Sequence, residues 1–102
     1  VGERGFSAYQ ATKGAVLALT RSLAVDHAPD VRAVAIAPGL VATDAVAAIP
    51  PDVMAGVTAA IPAGRAAQPE EVAALAAWLA SDEADYVSGT AVIMDGAYLA
   101  IG

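Results

Sequence analysis

Tyr9 and Lys13 stand four residues apart in the stretch SAYQATKGAV, and Lys13 is the only lysine of the chain. Residues at this spacing lie on one face of a helix, so the phenol and the ammonium group would point into the same pocket. A free tyrosine titrates near about pH 10, which is too high for acid–base catalysis at neutral pH. A cation about 4 Å away stabilises the phenolate by up to roughly 4 kcal/mol at an effective dielectric of about 20, or about three pKa units. The spacing therefore suits a proton-exchanging pair, although it also occurs on solvated helix faces.

A long helix is predicted over residues 8–27, and it would carry this pair. Ser7 followed by Gln10 matches a capping box, and apolar residues recur on nearly every side of the helix down to Val25. Pro29 ends the helix because proline lacks the next backbone N–H. A helix that is apolar nearly all round is predicted to be buried on several sides.

The remaining elements alternate between strands and helices. VRAVAIA, residues 31–37, is predicted to form a buried parallel strand that ends before Pro38 and Gly39. A loop over residues 38–51 and a short helix over residues 52–60 follow. Pro69 begins a second long helix to about residue 81, because Glu70 and Glu71 behind it favour the positive end of the helix dipole. TAVIMDG, residues 90–96, is predicted to contain a second buried strand.

This order of elements predicts the α/β class, as the C-terminal part of a doubly wound parallel sheet in a Rossmann-like domain. Two strands alone do not cover two layers of helices. The 102 residues are 58% hydrophobic and only 16% charged, which is more apolar than a domain of this length can bury by itself. The other strands of the sheet are therefore expected in further polypeptide.

Composition and charge argue against several classes of function. The net charge is −6 and the five Lys and Arg residues are scattered, so neither nucleic acid nor an anionic membrane is an expected partner. No cysteine is present, and no apolar run approaches the roughly 18 to 20 residues of a membrane span, so a cytoplasmic location is expected. The acidic residues at 82–85 have no histidine near them, and His27 stands at a helix end, so no metal site is predicted.

Three stretches together resemble the C-terminal half of a short-chain dehydrogenase/reductase: SAYQATKGAVLALTRSLAVDHAP, VRAVAIAPGLVAT and GRAAQPEEVAALAAWLASDEADYVSGTAVIMDG. The resemblance implies hydride transfer between a small alcohol or ketone and NAD or NADP. It implies that Tyr9 exchanges the proton, that Lys13 acidifies the phenol, and that both contact the cofactor. It also assigns four further cofactor-binding positions: Pro38 and Gly39 beneath the nicotinamide, the Val41 backbone at the carboxamide, and the Thr43 hydroxyl at the cofactor.

The sequence departs from the family pattern in what it lacks and at two internal positions. The glycine-rich turn that binds the pyrophosphate, the residue that separates NAD from NADP and the serine that polarises the substrate would all lie upstream. Residues 1–102 are therefore expected to be the C-terminal half of a single Rossmann-like domain. Val34 stands where the family usually has asparagine, and Ala97 stands where a second glycine is common.

Two other functions remain open. A truncated or scaffold fragment of this fold would have no catalytic role, because it would lack the phosphate-binding turn. The same family pocket could also carry out epimerisation or elimination. The resemblance further implies a homodimer or homotetramer, built through the helix of residues 8–27 and through the last helix and strand.

Overall fold

The computed structural model describes residues 7–100, and it describes the side chains in that range except those of residues 8–10. Four helices and two strands follow one another, and two short 3-10 turns lie at Asp82–Ala84 and Tyr98–Ala100. The elements are α1 (Ser7–His27), β1 (Val34–Pro38), α2 (Asp44–Ala47), α3 (Pro51–Ala59), α4 (Pro69–Ala80) and β2 (Thr90–Met94). This order confirms both predicted long helices, the short helix and both predicted strands as elements. The prediction that the strands are buried is wrong for this chain, since every residue of β1 and β2 is half-buried or exposed.

The two strands pair in parallel, as the sequence predicts. Their register runs from Val34 opposite Thr90 to Pro38 opposite Met94, so both strands end at the same edge of the sheet. The chain crosses from β1 to β2 through α2, α3 and α4. A parallel pair needs such a crossover, because a short turn cannot return the chain to the starting edge.

Helices α1 and α4 cover opposite faces of this strand pair. Successive side chains of a strand point to opposite faces. Val34 lines a groove with residues of α4, whereas Ala35 and Ala37 line a groove with residues of α1. The described residues therefore form a layered α/β arrangement with a helix on each side of the sheet.

Strand β1 begins three residues later than predicted, because the residues before it bond elsewhere. The Arg32 guanidinium donates to the carbonyl oxygens of Leu79, Ser81 and Val87, at the C-terminal end of α4 and beyond it. The Leu79 carbonyl lies in the last turn of α4, where carbonyls have no partner within the helix and a cation is favourable. The Ala33 N–H donates to the Ser88 hydroxyl at 3.1 Å, so regular pairing starts only at residue 34.

Helix α2 lies inside the segment that the sequence predicts to be a loop. Thr43 caps it, since the Thr43 hydroxyl oxygen accepts a hydrogen bond from the Val46 N–H at 3.4 Å, and Asp44 stands in the first turn. A threonine followed by an aspartate is a helix-start signal, but four residues are too few for a detectable apolar period.

The expectation that α1 is buried on several sides is wrong for this chain. Among the described residues of α1, only Thr20 and Ala24 are buried, while Val16, Leu19 and Val25 are 52%, 57% and 78% exposed. The helix contacts β1 and β2 along one side. Nothing else in residues 7–100 covers its remaining apolar surface. The capping-box prediction depends on Gln10, whose side chain lies outside the described part.

Replacing Ala97 with glycine is expected to stabilise the protein. The φ of Ala97 is +72°, in the left-handed region, which costs an L residue roughly 1–2 kcal/mol. The greater freedom of glycine in the unfolded chain offsets part of this relief. Ala97→Gly should therefore raise the free energy of unfolding by about 0.5–1 kcal/mol, measured by urea denaturation.

A matched alanine in a helix gives the control for this substitution. Ala74 lies exposed in α4, where glycine costs about 1 kcal/mol. Ala74→Gly should therefore destabilise the protein. A similar loss of stability in both variants would contradict the assignment of strain to residue 97.

Candidate active site

The site is built at the edge where both strands end. Gly39 follows β1 and Asp95 follows β2, and the Gly39 N–H extends the pairing by donating to the Met94 carbonyl at 2.9 Å. A Cβ placed on Gly39 would lie 2.9 Å from the Asp95 Cβ and 3.0 Å from its Cα. Glycine is required at position 39 because two backbones approach closely there.

The Asp95 carboxylate organises the turn after β2. Its Oδ1 accepts the Ala97 N–H at 3.0 Å and its Oδ2 accepts the Leu99 N–H at 2.9 Å. Both oxygens are thus engaged by the backbone of the turn. The carboxylate therefore stabilises the turn that follows β2.

Residues 40–42 pair with a single residue from the segment before α4. The Ala67 N–H donates to the Leu40 carbonyl at 2.9 Å, and the Ala42 N–H donates to the Ala67 carbonyl at 2.8 Å. This makes a parallel bridge between Val41 and Ala67, in which the N–H and carbonyl of Val41 point away from Ala67. The Val41 carbonyl accepts the Thr43 N–H at 2.8 Å, while its N–H has no acceptor in the part of the chain that the structure describes.

A bidentate ion pair between Arg65 and Glu71 restrains the segment that contains Ala67. The Arg65 guanidinium donates to Glu71 Oε1 at 2.6 Å and to Oε2 at 3.0 Å, and it also reaches the Ala66 carbonyl at 3.1 Å. Glu71 Oε1 accepts the Gln68 N–H at 2.9 Å, which caps the start of α4. The hydrogen bonds from Arg65, followed by that from the Gln68 backbone, lower the pKa of Glu71 to about 2.

The sequence alone does not identify Arg65 as the partner of Glu71. The sequence explains Glu71 by its position at the helix N-terminus, which the structure confirms. Arg65 lies six residues earlier, outside the helix, and no local periodicity connects it with residue 71. The fold alone brings the two charges together.

The predicted site residues lie in α1, at the end of β1 and in the loop that follows it. Lys13 and Pro38 line the same groove of about 410 Å³ between α1 and β1, and Gly39, Val41 and Thr43 follow Pro38 in the loop. Tyr9 belongs to the first turns of α1, one turn before Lys13, but its side chain lies outside the described part. The Thr43 oxygen caps α2, and its hydroxyl proton can still be donated to another acceptor.

A second groove of about 400 Å³ opens beside Gly39 and Leu40. The end of α3 and the turn after β2 form its walls, with Val57, Ala60 and Ile61 on one side and Tyr98 on the other. Its lining is apolar except for the Tyr98 phenol and Asp95, whose oxygens are engaged by the backbone. The groove suits an uncharged molecule better than an anion.

The described residues also bear on two other classes of site. Within residues 7–100, no three His, Cys, Asp or Glu side chains gather as metal ligands would. No helix in that same range has the length and apolar character to cross a membrane.

The sequence has relatives among known enzymes. Residues 1–98 match the family model described as enoyl-(acyl carrier protein) reductase. The chain is 47% identical to cis-4-hydroxycyclohexanecarboxylate dehydrogenase from Sinomonas cyclohexanicum, in a match that covers 99% of this chain and 41% of that protein. It is 44% identical to meso-2,3-butanediol dehydrogenase from Serratia marcescens, with 93% and 38% covered. The chain thus spans about two fifths of the length of these relatives.

Solved structures resemble the whole described fold. Aldohexose dehydrogenase from Thermoplasma acidophilum matches with a TM-score of 0.91 at 31% identity, covering 100% of this chain and 44% of that one. A short chain dehydrogenase from Bacillus anthracis matches with a TM-score of 0.76 at 38% identity, covering 87% and 35%. These matches confirm the predicted α/β fold class.

Replacing Gly39 with alanine is expected to destabilise the protein by about 1–3 kcal/mol, because the new methyl group would overlap the Asp95 backbone. The free energy of unfolding measured in urea checks this. Gly14 is the matched control, since it lies in α1 with no atom within 4 Å of an added Cβ. Gly14→Ala should stabilise the helix by up to about 1 kcal/mol. Unchanged stability in Gly39→Ala would contradict the close approach.

The Glu71 carboxylate is expected to titrate at about 2, well below its ordinary pKa of 4.5. Because the folded pKa is lowered, the contribution of this group to stability is complete above about 4.5 and is lost as the pH falls toward 2. A carbon-13 NMR titration of the side-chain carboxyl measures the pKa directly. Arg65→Gln removes the main cause and should move the pKa back toward 4.5, whereas an equal pKa in both proteins would rule out Arg65 as the cause.

Proposed function

The chain belongs to the short-chain dehydrogenase/reductase family, and on this basis we propose that it is the C-terminal half of an enzyme that interconverts an alcohol and a ketone. The half of the Rossmann-like domain that would bind the pyrophosphate lies outside residues 1–102 in this proposal. The length of the relatives supports it, since this chain spans about two fifths of them. When bound, NAD or NADP supplies the hydride acceptor or donor.

One observation carries the proposal: Lys13 and Pro38 line the same groove at the C-terminal end of β1. In doubly wound folds, ligands bind in the crevice beyond the C-terminal ends of the strands. The loop that follows Pro38 begins with a glycine that admits a close backbone approach. Lys13, one member of the pair predicted from the sequence, thus shares a groove with Pro38, the first residue of the predicted cofactor loop.

The residues present fit a nicotinamide cofactor. The Val41 N–H has no acceptor among residues 7–100, and it points away from Ala67, so it is available to an amide oxygen of a ligand. The Thr43 hydroxyl can donate while its oxygen caps α2. Lys13 would hold ribose hydroxyls with its ammonium group, which donates three hydrogen bonds. These are the roles that the family resemblance assigns.

In the proposed reaction, Tyr9 exchanges a proton with the substrate oxygen. When the alcohol is oxidised, its O–H proton passes to the Tyr9 phenolate as the hydride leaves the carbon. Lys13 stabilises that phenolate electrostatically, which brings the phenol pKa toward the working pH. For ketone reduction, the same phenol donates its proton to the forming alkoxide.

The proposed substrate is a small, uncharged secondary alcohol or the matching ketone. The two relatives named above act on a hydroxycyclohexanecarboxylate, which is an anion, and on a butanediol. Both substrates carry secondary hydroxyl groups, so these relatives support a secondary alcohol but not its lack of charge. The apolar groove beside Gly39 and Leu40 supports an uncharged substrate here, because Asp95 would repel an anion. The choice between NAD and NADP depends on the upstream half.

A structural role in assembly is the second candidate, and exposed apolar surface favours it. Val16, Leu19 and Leu23 of α1 and Trp78 of α4 are all exposed in this chain. Apolar area of this kind is typical of surfaces that pack against further polypeptide or a second subunit. Assembly into a homodimer or homotetramer through these helices is compatible with catalysis. A purely structural fragment would have no catalytic activity.

Replacing Tyr9 with phenylalanine tests the proposal. Tyr9→Phe removes the exchangeable proton, so turnover of secondary alcohols should fall by about 100- to 10,000-fold while the dissociation constant for NADH or NADPH stays nearly unchanged. Cofactor-linked absorbance at 340 nm, with a panel of secondary alcohols, measures turnover in the enzyme that contains this chain.

The fully exposed Tyr86 supplies the control, and Tyr86→Phe should leave turnover unchanged. Full activity of Tyr9→Phe would refute the catalytic role of Tyr9. A complete lack of dehydrogenase activity in the unaltered protein would favour the structural candidate.

A further inference from the structure

We propose that the Arg65–Glu71 ion pair is a positioning device that holds the backbone of residues 40–42 in the conformation that receives the nicotinamide. This inference rests on the proposed function, because it takes the loop after β1 as the cofactor loop. Neither Arg65 nor Glu71 would contact the reacting atoms. Both act through Ala67, which is the residue that pairs with the loop.

The loop is held differently at its two ends. Gly39 continues the pairing of β1 with β2 through its hydrogen bond to Met94, and it lies directly against Asp95. Residues 40–42 have left the sheet and depend on the two hydrogen bonds to Ala67. The position of the Val41 N–H is therefore set by where Ala67 lies.

Side-chain packing gives Ala67 little support. Ala66 and Ala67 are only half-buried, and each carries a single methyl group. The ion pair instead closes the chain around Ala67: Arg65 and Glu71 lie on its two sides in the sequence, Arg65 bonds the Ala66 carbonyl, and Glu71 bonds the Gln68 N–H. Every hydrogen bond in this ring restrains the backbone that pairs with the loop.

The effect of the ion pair is expected to be local. Arg65 is exposed and Glu71 is partly exposed, and exposed ion pairs contribute little to global stability. Opening of short segments, however, requires far less free energy than global unfolding and depends on the few contacts that hold them. Breaking the ring should therefore loosen residues 40–42 and 67 without unfolding the protein.

The variant Glu71→Gln tests this device, because a glutamine at this helix position still accepts the Gln68 N–H. It loses the negative charge and the second hydrogen bond from Arg65, which an amide NH2 group cannot accept. Glu70→Gln is the matched control. It removes the same charge one residue earlier, and Glu70 makes no side-chain hydrogen bond to any residue in the range 7–100. Arg65→Lys keeps the charge but loses the bidentate geometry, so its effect should lie between those of the unaltered protein and Glu71→Gln.

Two measurements are needed, one for the loop and one for the cofactor. Amide hydrogen exchange should be about three- to fivefold faster in Glu71→Gln at Ala42 and Ala67, and unchanged at Gly39, whose partner is Met94. The dissociation constant for NADH or NADPH, from fluorescence titration of the enzyme that contains this chain, should rise by about three- to fivefold. Glu70→Gln should change both quantities by less than about twofold, since exposed single charges contribute little.

The outcomes separate the inference from the function on which it rests. Equal exchange at Ala42 and Ala67 in Glu71→Gln and Glu70→Gln would overturn the inference. Faster exchange with unchanged cofactor affinity would also overturn it, because the loop would then not govern binding. Failure of the unaltered protein to bind either cofactor would refute the proposed function itself, and it would be seen before any variant is compared.

Discussion

The parallel register of β1 and β2 is the constraint on which the site depends. Because Pro38 pairs with Met94, the residues that follow the two strands emerge side by side. Gly39 and Asp95 then approach so closely that a side chain at position 39 would overlap the neighbouring backbone. The direction in which the loop leaves the sheet follows from this contact, and so does the position of the groove that Gly39, Leu40 and Asp95 line.

Beyond this edge, the backbone of the loop is held mainly by other backbone groups. Leu40 and Ala42 bond Ala67, and the small residues around Ala67 bring almost no packing of their own. A loop held in this way needs its partner segment to be fixed by polar contacts. The Arg65–Glu71 pair supplies them, which gives an exposed ion pair a local role that its small contribution to global stability does not reveal.

The distribution of apolar side chains follows from the small sheet. Two strands bury one side of α1, and large residues such as Val16, Leu19 and Trp78 remain exposed in this chain. The buried apolar core of the described residues consists of only Ala24, Ile61, Leu79 and Ala84. So little burial provides a small hydrophobic contribution to stability, and further contacts along α1 and α4 would increase it.

The sequence by itself determined the long helices, both strands and the parallel α/β class, because prolines, helix-start signals and apolar periodicity act over a few residues. It also determined that Tyr9 and Lys13 lie one helical turn apart. Only the tertiary structure decided that Arg32 delays β1, that Gly39 must lack a side chain and that Ala67 holds the loop. These are contacts between segments that lie far apart in the chain, and local preferences cannot specify them because their geometry depends on the packing of the whole fold.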